Sequence, residues 1–315
     1  MKPEAAAEAP GGGVIEPAAG PVKKAQTPFQ RLVADFFESK VAVFGLAITT
    51  CVVFIAIFAP WISPTNPFDL AKVDIMDNLL APGDQNLAGD FTYVLGTDGS
   101  GRDMLSAIFY GLRTSISVGV TSGVVALAIG MSIGLTAAYF GGIVDTVIMR
   151  VVDIQLSFPA ILIALVLMAV LGPGIDKTIL ALIVAQWAYY ARTIRGSALV
   201  ERRKEYIEAA TCLALSHKRI VFRHLLPNCL PPLIVVATVQ TAHAISLEAT
   251  LSFLGLGVPQ TEPSLGMLIR NGFDYMHSLK YWITFFPGIA LLVTIVGINL
   301  VGDQLRDILN PRLQK

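Results

Sequence analysis

Charged residues are scarce in this chain of 315 residues, where they make up 15% of the sequence against 54% hydrophobic residues. Soluble domains carry about 25% charged residues, so a single globular core cannot hide this much apolar surface, and we expect lipid to solvate part of the chain. Basic and acidic residues number 23 each, a balance that argues against a nucleic-acid binder. Three cysteines are too few for a disulfide framework.

The sequence also lacks a phosphate-binding loop, because no lysine follows a glycine and that loop needs Gly-Lys before Ser or Thr. Any ATP hydrolysis therefore belongs to another chain. The stretch 130–134 fits a Gly-x-Ser-x-Gly pattern, but it lies in an apolar helical segment rather than at a strand-to-helix turn. The spacing of Cys212, His217, His224 and Cys229 matches no compact zinc module. We assign no catalytic residue and no metal ligand.

Six long apolar segments dominate what the sequence does contain. A helix that crosses a bilayer needs about 20 apolar residues, so the sequence predicts an all-α, polytopic membrane protein with six transmembrane helices. The segments are Val41–Ile62, Thr114–Phe140, Ile154–Ile175, Thr178–Val200, Leu230–Gly257 and Tyr281–Gly302. We expect the third helix to begin near Ile143. The fourth contains Arg192 and Arg195 and should continue out into water.

The other stretches define the domain organisation. Residues 1–27 are rich in Ala, Gly and Pro and predict a disordered tail. Residues 28–40 mix apolar and charged side chains at helical spacing and predict an interfacial helix lying on the membrane. Residues 41–315 form the transmembrane domain, with a long loop at 63–113, part of which we expect to fold as a small lid. A second loop, 201–229, joins spans four and five.

The distribution of lysine and arginine predicts the orientation. The side that holds both termini and the 201–229 loop carries 14 basic residues, whereas the opposite side carries 6. Basic residues near transmembrane helices favour the cytoplasmic side. Both termini and the 201–229 loop are therefore predicted to be cytoplasmic, and the long loop is predicted to face outward.

The 201–229 loop is predicted to form two short helices. The first ends near Leu213, Ser216 can cap the second through its hydroxyl, and Pro227 should end the second because proline interrupts the hydrogen-bond ladder. Pro231 and Pro232 suit the first turn of the next span. Each helix carries an apolar stripe, which predicts a partner surface outside the membrane. The stripes are Ile207, Ala210 and Leu213 in the first helix and Ile220, Leu225 and Leu226 in the second.

This loop resembles the signature of bacterial importer permeases that are driven by ATP-binding-cassette ATPases. That signature is Glu-Ala-Ala, three residues, Gly, nine residues, Ile, one residue and Leu-Pro. The chain has Glu208-Ala209-Ala210, then Ala214 in the Gly position, His224 in the Ile position and Leu226-Pro227. Histidine is common there in the peptide branch of the family, whereas Ala214 is a departure. If the turn is left-handed, alanine costs about 1 kcal/mol relative to glycine.

Four further stretches resemble the dipeptide, oligopeptide and nickel permeases. They are Leu95–Ser106 with Tyr110, Gly111 and Arg113, then Leu251–Gly257, Pro263–Met267 and Gly302–Leu313. Leu265 departs from the family, which usually has Trp there. The resemblance extends from Phe29 to Leu313 and is strongest to the C-type subunit of a permease heterodimer.

The resemblance implies a type I ATP-binding-cassette importer fold in the bacterial inner membrane. It implies a homologous permease subunit, two ATPase subunits that bind ATP and magnesium, and an extracytoplasmic solute-binding protein, with no cofactor on this chain. Peptide is the expected cargo, and nickel or glutathione are alternatives. The implied ATPase-coupling residues are Glu205, Glu208, Ala209, Ala210, Ala214, Ser216, Arg219, Arg223, Leu226 and Pro227.

Polar residues inside the predicted spans admit two interpretations. Glu248 and His243 lie in the fifth span, where a charge is costly unless it faces protein or water. They either line the translocation path or are satisfied structurally at a helix interface. Arg150 and Asp153 are three residues apart on one helix, and we expect them to pair. Glycines four residues apart, at 119 and 123 and at 130 and 134, predict close helix packing within the chain.

Two other classes of protein remain as alternatives. An ion-gradient-driven secondary transporter would have broken helices and several intramembrane acids in paired repeats, whereas only Glu248 lies at a span centre. An intramembrane enzyme would need two or more converging catalytic groups, and only one span offers polar candidates.

Overall fold

The computed structural model describes residues 28–67, 69, 73–259 and 261–309. Within these residues the fold is all-α and contains no β-strand, which confirms the predicted class. The helices are α1 (Pro28–Glu38), α2 (Lys40–Ile62), α3 (Met104–Phe140), α4 (Gly142–Ser157), α5 (Ala160–Leu171), α6 (Ile175–Glu201), α7 (Glu205–Cys212), α8 (His217–Arg219), α9 (Leu226–Phe253), α10 (Leu265–Phe273) and α11 (Trp282–Leu309). A π-helical turn, Ile220–Leu225, joins α8 to α9. The predicted disordered tail, 1–27, lies outside the described residues.

Among the described residues, four helices are long and apolar enough to cross a bilayer: α2, α3, α11 and the continuous helix His217–Phe253. The pair α4 and α5 supplies at most one more span, because it bends by 86°. The predicted fourth span forms the 27-residue helix α6, which is long enough to cross a bilayer but less apolar than these four helices. Composition and length therefore support four or five spans among the described residues rather than the expected six.

The break between α4 and α5 corrects the expectation of one continuous third helix from Ile143. Phe158 has an extended backbone, with φ −98° and ψ 139°, and Pro159 follows it. Proline disfavours the helical conformation of the residue before it, so the chain turns at this point. The sequence prediction missed the break because residues 154–171, which lie on both sides of it, contain no charged side chain.

Helix α3 begins ten residues before the predicted start of the second span. The Asp103 carboxylate caps it by accepting a hydrogen bond of 2.9 Å from the backbone N–H of Ser106, which explains the early start. At the other end of the fold, α11 continues to Leu309, past the predicted end at Gly302. Hydropathy alone predicts the apolar part of a helix and misses its polar extensions.

The glycines of α3 allow it to pack closely against α6 and α9. A Cβ atom at Gly130 would clash with the backbone oxygen of Trp187, and one at Gly134 would clash with that of Ala191. At Gly119 the clash would be with the Ile245 side chain. The interpretation of these glycines as packing positions within the chain is confirmed. Helix α6 is thus partly enclosed by the rest of the bundle, which accounts for its polar composition.

The long loop is anchored to the start of α11. The indole N–H of Trp282 donates to the Thr97 carbonyl oxygen at 3.2 Å, and the Lys280 ammonium donates to the Leu79 carbonyl oxygen at 3.0 Å. Inside the loop the Thr97 hydroxyl donates to the Asp77 carbonyl oxygen at 2.6 Å. The segment from about residue 74 to 103 is therefore held against the bundle without regular strands.

Helix α1 is present as the amphipathic pattern predicts, and it ends at Glu38. Ser39 then caps α2 by accepting a 3.3 Å hydrogen bond from the backbone N–H of Ala42. Phe36 is buried in a small cluster with Ala42 and Ile308, so α1 packs against the ends of α2 and α11. Its placement at a membrane surface stays a prediction.

Candidate functional site

The coupling loop, residues 201–229, folds as α7 and α8 on one end of the bundle. Helix α7 ends at Cys212, close to the predicted end near Leu213. Its first turn is tied to α6, because the Tyr206 hydroxyl donates to the Glu201 carboxylate at 2.7 Å. Burial and this hydrogen bond raise the pKa of Tyr206 to about 12. The Asn228 amide donates to the same hydroxyl at 3.1 Å, so Tyr206 links α6, α7 and α9.

The turn between α7 and α8 is left-handed at Ala214, where φ is +52°. The backbone N–H of Ala214 donates to the Thr211 carbonyl oxygen at 2.9 Å, and that of Leu215 donates to the Ala210 carbonyl oxygen at 3.2 Å. This backbone conformation favours glycine, since a Cβ atom costs about 1–2 kcal/mol there. The chain therefore carries strain at the position where the importer signature has glycine.

Ser216 occupies the N-cap position of α8, but its hydroxyl makes no capping hydrogen bond, so the predicted side-chain cap is wrong. Its backbone contributes instead, because the Ser216 carbonyl oxygen accepts a 3.0 Å hydrogen bond from the N–H of Ile220. Ser216 therefore begins the helix through its backbone carbonyl, and its exposed hydroxyl is available for other contacts.

Pro227 does not end the second helix, which corrects the sequence prediction. The π-helical turn Ile220–Leu225 continues directly into α9. A π-helical turn displaces the hydrogen-bond ladder by one residue, and proline is tolerated in the first turn of a helix because no amide hydrogen is needed there. Pro231 and Pro232 consequently lie inside α9 rather than at its start. The second helix of the coupling loop and the fifth span form one continuous helix, His217–Phe253.

The apolar stripes of the loop are mostly buried within the chain, so the expectation that they meet a separate partner is wrong for these residues. Ile207, Ala210, Ile220 and Leu225 are at most 5% exposed and belong to one core cluster that also includes residues of α3, α6 and α9. Leu213 is the exception, at 74% exposed. The loop is therefore packed firmly onto the bundle and presents its opposite face.

Most of the coupling residues implied by the sequence lie on that exposed face. Ala210 is buried and Leu226 is half-buried, so these two support the loop from inside. The exposed members are Glu205, Glu208, Ala209, Ala214, Ser216, Arg219, Arg223 and Pro227. The face is acidic along α7 and basic along the start of the second helix, where Lys218 is also exposed.

A cavity of about 720 Å³ separates α7 from the end of α3. Its lining includes Glu208, Arg202, Tyr139 and His217. The Tyr139 hydroxyl and the His217 Nδ1 atom are hydrogen-bonded, and the Arg202 guanidinium lies 5.9 Å from the centre of the Tyr139 ring. Arg202 also donates to the Ala138 carbonyl oxygen at 3.0 Å. The last turn of α3 is thus joined to both α6 and α8, a link that sequence spacing did not reveal.

The two translocation-path candidates occupy different environments. Glu248 is fully buried and accepts hydrogen bonds of 2.7 Å from both the Ser115 and the Ser252 hydroxyls. The Ser115 oxygen in turn accepts from the backbone N–H of Leu265 at 3.3 Å. Glu248 therefore joins α3, α9 and α10. His243, on the same helix, is exposed, so the structure does not bring the two residues into one site.

Asp153 pairs with Arg192 of α6 rather than with Arg150, which corrects the expected pair within α4. Eight residues earlier on α4, Asp145 pairs with Arg195, with contacts of 2.5 and 2.6 Å. Both pairs connect α4 to α6 near the coupling loop. Sequence spacing reveals partners within one helix, and it contains no information about which side chains meet across two helices.

The family described as the binding-protein-dependent transport system inner membrane component matches residues 126–315. The N-terminal transmembrane domain of oligopeptide transport permease C matches residues 27–82. The dipeptide transport system permease protein DppC of Escherichia coli K12 is 42% identical over 289 residues, which cover 92% of this chain and 95% of that protein. The di/tripeptide transport system permease protein DppC of Pseudomonas aeruginosa is 36% identical over 298 residues, or 95% and 97% of the two chains.

Among solved structures, an inward-facing conformation of the MetNI methionine ABC transporter superposes with a TM-score of 0.54 at 22% sequence identity. It covers 65% of this chain and 97% of that one, and it supports the fold alone.

The fold and the coupling loop define a transmembrane subunit of an ATP-binding-cassette importer. The chain belongs to the family of binding-protein-dependent transport system inner membrane components. Membership implies a multi-pass inner-membrane subunit that works with ATPase subunits and a binding protein.

Proposed function

We propose that the chain is the permease subunit of an ATP-driven importer of di- or oligopeptides. It pairs with a homologous permease subunit as a heterodimer and with two ATPase chains that bind ATP and magnesium, and it binds no cofactor itself. An extracytoplasmic solute-binding protein delivers the cargo, and both termini are cytoplasmic. The names of its relatives, which describe dipeptide and di/tripeptide transport, support peptide rather than nickel or glutathione.

The continuity of the coupling loop with the membrane helix is the observation that carries this proposal. The second coupling helix runs without a break from His217 to Phe253, and α7 is fixed to the same core cluster. A force on the exposed face of the loop therefore moves α9 as a rigid element. Alternating access follows when ATPase closure pushes this face and tilts the helices packed on it.

The chemistry of the exposed face suits docking to another protein chain. Glu205 and Glu208 lie in the first turn of α7, and Arg219 and Arg223 lie on the second helix. Carboxylates and guanidiniums form charge-assisted hydrogen bonds with a partner of complementary charge. Leu213, at 74% exposed, adds an apolar anchor at the tip. We place Glu208 at the rim of the 720 Å³ cavity, where a basic side chain of the ATPase can enter.

The test replaces Glu208 by Arg in the complete transporter, expressed in cells that lack their own peptide importers. We expect the variant to reach the membrane at the normal level, lose co-purification with the ATPase pair and lose uptake of a labelled dipeptide. Glu38→Arg is the matched control, because Glu38 is an exposed glutamate of α1, and it should retain both. Dipeptide uptake that collapses with a proton uncoupler but persists without ATP would refute the proposal.

A further inference from the structure

One exposed face of α3 differs in composition from the exposed faces of α5 and α11. Tyr110, Arg113, Ser117 and Thr121 recur at intervals of three or four residues, so they share one side of the helix. Arg113, Ser117 and Thr121 are exposed and Tyr110 is half-buried. The other residues that the structure describes do not cover this face.

The exposed faces of α5 and α11 have the composition that lipid requires. Leu162, Val166 and Val170 project from α5 at 51%, 65% and 81% exposure, and Phe285 and Leu292 project from α11 at 56% and 60%. The α3 face, by contrast, presents a guanidinium and two hydroxyls. Inserting an arginine into the hydrocarbon of a bilayer costs at least about 2.5 kcal/mol. The α3 face is therefore expected to meet water or protein rather than acyl chains.

The hydroxyls nearer the other end of α3 form hydrogen bonds with the backbone of the same helix. Ser132 and Thr136 each donate to the backbone carbonyl oxygen four residues earlier, both at 2.7 Å, which is how hydroxyls are tolerated in lipid. Within the described residues, Ser117 and Thr121 make no such bond and Arg113 has no ion-pair partner. The end of α3 near the long loop thus presents polar groups that remain available to a ligand.

Arg113 stands between two clefts. One cleft of about 280 Å³ is bounded by Tyr110, Ser117 and Thr121 and by Ile179 of α6. The second, about 200 Å³, lies between Arg113 and α2, at Val53 and Ile57. Both are smaller than the typical small-molecule pocket of 300–1,000 Å³, so a complete site would need a second wall, which the partner permease would supply.

We propose that this face of α3 lines the cargo path and that the Arg113 guanidinium receives a carboxylate of the cargo. For a peptide, this is the C-terminal carboxylate. A guanidinium binds a carboxylate through two parallel hydrogen bonds, and it does so more strongly when water is excluded. The small hydroxyls of Ser117 and Thr121 offer polar contacts to a peptide backbone without reading its side chains. The inference rests on the proposed function for the identity of the cargo and for the partner permease that completes the site.

The test is thiol modification of the assembled transporter in liposomes. Cys51, Cys212 and Cys229 are first replaced by serine or alanine, and Ser117→Cys is then compared with Val166→Cys on the apolar face of α5. Water-soluble anionic and cationic methanethiosulfonate reagents should modify Ser117→Cys at least about tenfold faster than Val166→Cys, because thiolates form readily only in contact with water.

The charge of Arg113 is tested in the same background. Adding Arg113→Gln should reduce the rate with the anionic reagent about tenfold and leave the rate with the neutral analogue unchanged, because a nearby cation concentrates anions. Arg113→Lys should keep the preference for the anionic reagent. Alanyl-alanine in excess should protect Ser117→Cys, whereas its C-terminal amide should not, and Arg113→Gln should abolish the protection.

Three results would overturn the inference. Equal rates of thiol modification at Ser117→Cys and Val166→Cys would place the α3 face in lipid, where the Arg113 guanidinium would bind a headgroup phosphate. A preference for the anionic reagent that survives Arg113→Gln would remove the role of the guanidinium. Equal protection by the dipeptide and its amide would remove the carboxylate. The transporter could take up no dipeptide and still show the faster modification of Ser117→Cys and the dependence of the anionic rate on Arg113. That outcome would refute peptide as the cargo and support a path in which Arg113 receives another anion.

Discussion

The Tyr139 hydroxyl is hydrogen-bonded to Nδ1 of His217, which joins the last turn of α3 to the first residue of α8. Arg202 stacks over the same tyrosine ring, so α6 joins the link. Because α3 also carries Arg113 near its other end, one helix connects the coupling loop to the proposed cargo-binding face. We therefore expect a displacement of the coupling loop to be transmitted along α3 as well as along α9.

Tyr139→Phe should weaken the transmission of force without unfolding the chain. A single hydrogen bond contributes about 0.5–1.5 kcal/mol, so we expect the number of peptides moved per ATP to fall by about two- to tenfold, on that range of energies. The measurement is the ratio of dipeptide uptake to ATP hydrolysis in proteoliposomes. ATP hydrolysis itself should persist, because the variant leaves unchanged the exposed face of the loop on which we propose that the ATPase docks.

Tyr189→Phe is the control for this variant, since Tyr189 lies on α6 and is partly exposed. Its uptake-to-hydrolysis ratio should equal that of the unmodified transporter. If Tyr139→Phe also leaves the ratio unchanged, the Tyr139–His217 link has no role in coupling and α9 alone carries the motion.

Ala214→Gly should stabilise the coupling loop. The left-handed backbone at Ala214, with φ +52°, strains alanine by about 1 kcal/mol, and glycine removes the strain. Ala209→Gly lies within α7 and should instead destabilise the loop by about 1 kcal/mol. Hydrogen exchange of the 205–215 amides in the purified complex would measure both effects. Faster exchange for Ala214→Gly would contradict the strain at Ala214. Slower exchange for Ala209→Gly would contradict the expected cost of glycine within α7.

Gly134→Ala should disrupt the contact between α3 and α6. The added Cβ would meet the Ala191 carbonyl oxygen, and backbone cannot yield as a flexible side chain does, so we expect a cost of about 1–3 kcal/mol. Gly196→Ala is the matched control on α6, because a Cβ there meets no atom of the described residues within 4 Å. Thermal unfolding in detergent should show a lower midpoint for the first variant and an unchanged or higher one for the second.

The sequence predicted the helices well where apolar composition decides them. Val41–Ile62 became Lys40–Ile62, and Tyr281 to Gly302 became the apolar part of α11. The motif residues around Glu208 also appeared as a helix on a packed loop, because the signature spacing and the helix periodicity agree there.

Predictions from residues close in sequence failed where two helices or turns meet. Pro227 does not end its helix, because it follows a π-helical turn and lies in the first turn of α9. Asp153 pairs with Arg192 rather than with Arg150, because α6 lies beside α4. The Tyr139–His217 bond joins residues 78 positions apart, a distance at which sequence spacing carries no signal. These three features depend on the packing of helices, which only the folded chain defines.

Glu248 is expected to hold helices together rather than to bind cargo. It is fully buried and accepts from the Ser115 and Ser252 hydroxyls, so Glu248→Ala would leave two buried hydroxyls unpaired at about 1–3 kcal/mol each. We expect that variant to accumulate poorly in the membrane, whereas Glu248→Gln, which keeps the shape and one acceptor, should assemble and transport nearly normally. Quantitative immunoblots and dipeptide uptake measure both properties, with His243→Ala as the control for yield. Normal assembly of Glu248→Gln with lost uptake would instead assign Glu248 to the translocation path.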